Sequence, residues 1–324
     1  MTTYVLRRII QSIPIIIGIS LLIFLIVQLA PGSPVDRFRN PRVSPEQLAA
    51  ITRLYGLDKP LPQQYVSWIT AFFQVWRPDA WGYSYTDGQP VLKNVMDRVP
   101  ATMLLMGAAL IVTIIVSIPV GILAAVRQYS LTDKVITTFA TIGYAMPSFL
   151  LAIYILYFGG VVLYQMTGWG FPLFGRQTLG GNGNPLDLTY HLILPVISLA
   201  IASIAGFSRY LRASMLDVMR QDYVRTARAK GAGGRRVVGR HALRNALIPL
   251  ITLIGLSIPA LISGAVITEA IFSYPGIGSL TIDAIGKSDY PTIYATAMLA
   301  GIFVILGNLI ADILYGVVDP RIKY

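Results

Sequence analysis

The residue types that usually carry out chemistry are scarce in this chain. It has no cysteine and two histidines, His191 and His241. Disulfides, thiolate metal sites and cysteine nucleophiles are therefore excluded, and an all-histidine metal site is implausible. Gly286-Lys287-Ser288 looks like the end of a phosphate-binding loop, but that motif needs a glycine where Thr281 stands. No nucleophile–base pair or paired carboxylate suggests an enzyme. Glu269, Asp312 and Arg209 lie near the ends of apolar runs. At such places snorkelling or a structural ion pair is a better reading than a proton relay. The scarcity of mid-run charge also argues against a proton- or sodium-coupled carrier. One concentration of charge remains: "VRTARAKGAGGRRVVGRHALRNALIP", residues 224–249, with six arginines and a lysine around a glycine cluster.

The setting of that stretch is oil. Hydrophobic residues make up 55% of the 324 and charged residues only 13%, and the mean hydropathy is +0.64. Soluble domains carry roughly 25% charge, so apolar runs of span length place the chain in a membrane. The net charge of +11 then has a ready explanation in cationic loops facing an anionic leaflet. Six runs satisfy the requirement of about 20 apolar residues: 9–30, 101–126, 135–164, 191–211, 247–268 and 292–317. The first follows a basic start but is too long for a signal-peptide core, so it reads as a retained span. Internal prolines Pro14, Pro119, Pro147, Pro195 and Pro259 are tolerable in membrane helices.

Lysine and arginine bias sets the orientation. With the N-terminus inside, the cytoplasmic side receives Arg7 and Arg8, Arg127 and Lys134, the loop from Arg209 to Arg244, and Arg321 with Lys323. Both termini are therefore expected in the cytoplasm. The chain divides into residues 1–30 (N-terminus and first span), an extracytoplasmic insert over 31–99, a core over 100–318 and a tail over 319–324. The core carries a cytoplasmic loop at 213–247. The insert reads as folded: Ser44 suits an N-cap, Pro45 the first helical position, Gln47 a capping-box partner and Gly56 a stop. Trp68, Phe72, Phe73 and Trp76 follow close together. They suit an interfacial amphipathic helix or, equally, a small cap packing its own aromatics.

Three readings compete for the arginine-rich stretch: a nucleic-acid patch, a lipid or topology signal, and a docking surface for another protein. Residues 213–230 suit a helix, with Met215, Met219 and Tyr223 at four-residue spacing. Gly231 can adopt the positive φ that ends it, and "RRVVGRHALRNALIP" resumes helical character. Nucleic acid would require aromatic stacking or a docking element, and neither is visible. A topology signal accounts for the charge but not for the helix–glycine–helix layout.

The stretch resembles the "EAA" loop of membrane subunits of bacterial binding-protein-dependent ABC importers. That pattern is Glu-Ala-Ala, three residues, Gly, nine residues, then Ile-x-Leu-Pro. Aligned on Gly231, its ends fall on Arg225, Thr226 and Ala227 and on His241, Ala242, Leu243 and Arg244. The glutamate, isoleucine and proline are thus replaced, with a proline later at Pro249. "RTARAKG…RHALRNALIP" is similar to the variant of the dipeptide/oligopeptide/nickel permease branch. "LAPGSPVD", "YGLDKPLPQQYVSWI", "FSYPGIGSL", "SDYP" and "DPRIKY" point the same way, and Asp79-Ala80-Trp81-Gly82-Tyr83-Ser84 is a looser fit. The long insert resembles the B-type subunit.

The resemblance implies an all-α membrane protein with six transmembrane helices and the type I ABC importer permease fold, in the bacterial inner membrane. It implies no cofactor in this chain, with ATP and magnesium in partner subunits. Those partners would be two cytosolic ATPases, a homologous C-type permease and an extracytoplasmic binding protein, within a lipid bilayer. No nucleic acid is expected. The implied ATPase-coupling loop comprises Arg225, Thr226, Ala227, Arg228, Ala229, Lys230, Gly231, Ala232, Gly233, His241, Leu243, Arg244 and Pro249. Ala227 and Ala229 are its expected close-packing positions, while His241 and Arg244 have a structural alternative in bracing the second helix. Peptide is the commonest cargo of this branch, and nickel or another small solute is the alternative. A self-sufficient carrier or channel is the rival class.

Overall fold

A computed structural model describes residues 2–29, 44–54, 56–178, 180–181 and 183–318. The expectations placed on "LAPGSPVD" beyond Leu29, on "DPRIKY" and on the tail lie outside these residues. Among the described residues the chain is helical, with a lone antiparallel bridge between Tyr83 and Pro90. Six helical stretches are long and apolar enough to cross a membrane: Leu6–Leu29, Val91–Val126, Ser148–Thr167, Pro185–Met219, Gly234–Ser257 and Tyr290–Ile313.

Two compact units form. The first contains the described residues of 103–274 and 306–318 with residues 2–6, and the second those of 7–102 and 275–305. In the first, α4 (Val91–Val126, from residue 103 onward) is followed by α5 (Leu131–Ala145), α6 (Ser148–Leu156), a π-helical turn at Tyr157–Val162 and α7 (Leu163–Thr167). The expected third span over 135–164 is thus not one helix. Met146, forced towards extended backbone by the following Pro147, has ψ 131° and separates α5 from α6. The span-length stretch is Ser148–Thr167 instead. α8 (Pro185–Met219) packs against α5, α6 and α11 (Leu243–Ile271). Near its end Phe207, Leu211 and Met215 meet Ala242, Ala246 and Leu250, with Ala125 of α4.

The second unit contains most of α1 (Thr2–Leu29), then α2 (Pro45–Leu54) and α3 (Leu61–Phe72), the start of α4, and α12 (Ile277–Gly286) with the start of α13 (Tyr290–Val318). The capping box expected at Ser44 is present. Gln47 N–H donates to Ser44 Oγ at 3.2 Å, and Ser44 N–H donates to Gln47 Oε1 at 2.9 Å. Past α2, Gly56 has φ +65°, and Leu57 N–H reaches back to the Thr52 carbonyl at 2.9 Å. The aromatic group of the insert divides between its two readings. Trp68 and Phe72 pack inward, with the Phe72 ring stacked on Trp81 at 4.6 Å, while Phe73 and Trp76 are exposed. Ile10, Ile13, Ile17, Leu22 and Ile26 of α1 are exposed apolar side chains, as a bilayer-facing surface requires.

Helix α4 begins at Val91, well before the span expected from 101, because Val91 and Val95 are fully buried beside Phe72 and Trp81. Gly286 ends α12 and Ser288 turns with φ +51°, so the Gly-Lys-Ser tripeptide lies in the turn between α12 and α13 and does not form the first turn of a helix. Glu269 is fully buried, which excludes snorkelling. Arg209 is exposed and lies over the Tyr144 ring at 5.8 Å.

Candidate functional site

The arginine-rich stretch folds as two helical pieces joined at glycine. The helix expected over 213–230 is divided. Its first half belongs to α8, which continues to Met219 because extension buries Leu211 and Met215 completely. Gln221 is extended, and α9 (Asp222–Ala229) stands by itself. Gly231 ends it with φ +82°. Its N–H donates to the Arg228 carbonyl at 2.9 Å, and Ala232 N–H donates to the Ala227 carbonyl at 3.1 Å. This pair of reverse bonds satisfies the last carbonyls of the helix and needs a residue free to adopt positive φ. Gly233 then precedes α10 (Gly234–Arg236), which passes through a π-helical turn at Val237–Ala242 into α11.

Few contacts hold this loop to the first unit, but they are well placed. Val224, the sole buried residue of α9, and Val237 of the π turn are essentially inaccessible, and α9 packs on that turn. Burying one such side chain contributes about 1.5–3 kcal/mol. Tyr223 Oη accepts from Asn245 Nδ2 at 2.8 Å, and Ser214 Oγ donates to the Ala246 carbonyl at 3.1 Å. α9 is thereby tied to α11 through the Tyr223 side chain, and α8 to α11 through that of Ser214. Val224 was readable in the sequence as an isolated apolar residue among charges, whereas Tyr223 and Asn245 carried no local signal.

The cations point outward. Arg225, Arg228, Lys230, Arg235, Arg236, Arg240 and Arg244 are all exposed, and Arg225 keeps only a loose 3.6 Å pairing with Asp222. Thr226 is exposed, its hydroxyl donating to the Asp222 carbonyl at 2.9 Å. Ala227 and Ala232 are half-buried. Ala229 and Gly233 are exposed, so any close packing at Ala229 is against a surface outside this chain. His241 lies half-buried in the π turn, and Leu243 begins α11. Pro249 sits half-buried inside α11. A concavity of about 680 Å³ lies beside α10, with Arg220, Arg228 and Arg235 among apolar residues such as Leu216 and Val238. Among the described residues no cluster of metal-ligating side chains exists.

Behind the loop is an ion pair that sequence reading overlooked. Asp133, in the first turn of α5, is 3% exposed. Arg212 of α8 donates to both its oxygens, Nε to Oδ1 and Nη2 to Oδ2, each at 2.7 Å. Tyr129 N–H donates to Oδ2 at 2.9 Å and Thr137 Oγ1 to Oδ1 at 3.3 Å. The Arg212 hydrogen bonds, joined by that of Tyr129, hold the Asp133 carboxyl down to about 2 from 3.8 against the opposing effect of burial. The carboxylate is therefore ionised at any physiological pH. A local clue existed: Ser130-x-x-Asp133 is a capping signature, and Ser130 Oγ does accept from Asp133 N–H at 3.3 Å.

The second unit has its own buried aspartate. Asp289, 2% exposed at the start of α13, accepts from Ser84 Oγ at 2.5 Å, Tyr85 N–H at 3.0 Å and Thr292 Oγ1 at 3.0 Å. Two segments quoted above for their resemblance, ending in Ser84 and beginning "SDYP", thus meet through one carboxylate. A smaller concavity of about 330 Å³ lies in this unit, among Phe24, Trp68, Trp81 and Tyr294, with Arg53 and Lys59 also lining it.

The sequence matches the family described as "Binding-protein-dependent transport system inner membrane component" over residues 117–324, and the corresponding N-terminal family over 1–106. It is 44% identical to the oligopeptide transport system permease protein AppB of Bacillus subtilis, with both chains covered completely. It is 40% identical to the dipeptide transport system permease protein DppB of Escherichia coli K12, covering all of this chain and 99% of that one. In fold it is similar to a chain of the MetNI methionine ABC transporter in an inward-facing conformation. That likeness has a TM-score of 0.56 at 16% identity, over 71% of this chain and 98% of the other. The chain therefore belongs to the inner-membrane components of binding-protein-dependent transport systems.

Proposed function

We propose that this chain is a B-type peptide permease subunit of an ABC importer and that α9 is its coupling helix. Family membership implies an ATPase and a substrate-binding protein as partners. The reading here is two cytosolic ATPases, which hold the ATP and magnesium, and a C-type permease that supplies the other half of the path. Both termini lie in the cytoplasm, as the arginine and lysine distribution favours. The insert and outer loops meet the binding protein. Peptide as cargo is supported by full-length relatives named for oligopeptide and dipeptide transport.

One observation carries the coupling assignment: a short helix, closed by Gly231 at positive φ, presents exposed cations and Ala229 while Val224 ties it to the first unit. Such a unit transmits rigid-body motion, and its charges can steer an acidic partner into register. ATP binding then biases two conformations through differential contacts with this loop.

The test is reconstitution of the whole importer in proteoliposomes with radiolabelled trialanine. Gly231→Pro removes a donor and forbids positive φ. Uptake per ATP hydrolysed should fall by about tenfold or more, an effect of the size expected for a coupling free energy between sites, with membrane insertion intact. Normal coupling in that variant would remove α9 from the mechanism. Uptake of labelled nickel ion in place of the peptide would move the cargo to the alternative, and gradient-driven flux without any ATPase would favour the rival class.

A further inference from the structure

The pair formed by buried Asp133 and partly exposed Arg212 joins α5 to α8 close to the loop. Arg212 lies about two turns before the end of α8, and α9 follows that end after a two-residue bend. The end of α8 is tied to its surroundings in two distinct ways. Leu211 and Met215 make an apolar contact with Ala242, Ala246 and Leu250 of α11, backed by the Ser214–Ala246 hydrogen bond. Arg212 makes a two-point ionic contact with α5. Apolar attraction has no preferred direction of its own. A bidentate guanidinium–carboxylate pair fixes distance and plane together.

The α5 side of the pair is equally constrained. Asp133 is held by Tyr129 N–H, and Tyr129 itself has φ +64°, which is costly for a tyrosine. Ser130 caps the helix onto Asp133 N–H. Further along, Gly143 of α5 sits against Ile201 and Ala205 of α8, where an added Cβ would come within 3.2 Å of Ile201. The two helices are therefore clamped at one end by charge and kept close at the other by a missing side chain. Beyond Ala145, the Met146–Pro147 break separates α5 from the next apolar helix, so α5 is a short element of its own.

We infer that Asp133 and Arg212 are positioning residues of the transport cycle, transmitting displacement of α9 through the end of α8 into α5. This rests on α9 being the coupling helix.

The test again uses the complete importer. Asp133→Asn keeps the volume and the acceptor for Tyr129 N–H but removes the charge. Its expected signature is assembly with the ATPases and continued ATP hydrolysis, with trialanine uptake per ATP reduced about fivefold or more. The exchanged pair Asp133→Arg with Arg212→Asp should regain a substantial part of that ratio, which a merely space-filling role would not produce. Wild-type uptake per ATP in Asp133→Asn would overturn the inference. Failure of both variants to assemble would also overturn it, by making the pair a requirement of folding. A parallel Ala229→Cys cross-link to the ATPase separates the two readings. Cross-linking with undiminished coupling in Asp133→Asn rejects the ion pair's role alone, and absence of the cross-link rejects α9 as the coupling helix.

Discussion

Asp133 and Asp289 are the same side chain, each buried to within 3% of full inaccessibility and each at the start of a helix, yet they are stabilised by different physics. Asp133 is met by a guanidinium through two charge-assisted bonds, in addition to one amide and one hydroxyl. Asp289 is met by two hydroxyls and a backbone amide. A charge–charge contact binds two helices at a fixed distance but leaves a buried charge behind if either partner goes. A set of dipoles distributes the work over several groups, so losing one donor matters less. The first arrangement suits a joint under load, and the second suits an insert pinned to its base.

The comparison can be broken by substitution. Asp133→Ala should be the more damaging change, because it strands Arg212. That side chain is 24% exposed, which brings the loss below that of a fully buried broken pair, to about 2–3 kcal/mol. The purified protein in detergent should show a lower melting temperature, read by size-exclusion chromatography after heating. The sign of the pH dependence follows from the depressed carboxyl. The contribution is fully present above 3.8 and is lost as pH falls through about 2, so the wild-type advantage over the variant should be flat near neutrality. Asp289→Ala comes next, at about 1–3 kcal/mol, since three donors lose their acceptor at once. Equal melting losses in the two variants would erase the distinction between charge and dipoles. Ser84→Ala should have the smallest effect, about 1 kcal/mol or less, because Tyr85 N–H and Thr292 still hold the carboxylate. A larger loss there than in Asp289→Ala would mean that Ser84 acts through something other than the aspartate.

Local features of this fold were legible in the sequence, and contacts between distant residues were not. Ser44, Pro45, Gln47 and Gly56 announced α2 because caps act within one turn. Gly231 announced the end of α9 for the same reason. The third span was misread as continuous because apolar composition is blind to the backbone restriction that Pro147 places on Met146. The end of span four was misplaced because 213–230 was read as one helix of its own, whereas α8 runs on to Met219 with Leu211 and Met215 packing on α11, and Gln221 breaks the helix before α9. The Asp133–Arg212 and Ser84–Asp289 contacts join residues 79 and 205 positions apart, and no periodicity encodes them. Of the candidate site, the turn and its cations were visible beforehand. The contacts that tie them down, Val224, Tyr223–Asn245 and Arg212, depend on which helices come to lie side by side.

The π turn at Val237–Ala242 has a further consequence. Leu243 N–H bonds to the Val238 carbonyl five residues back, so this turn holds one residue more than an α-helical turn would. It therefore works as spare length in the chain. Deleting the exposed Gly239 there would let the turn close to ordinary α-helix while α10 and α11 keep their mutual orientation. The same deletion within α11 would rotate everything before it by about 100°. Changes of chain length between Gly231 and Pro249 can thus be absorbed at this one place without turning the arginines away from whatever they face.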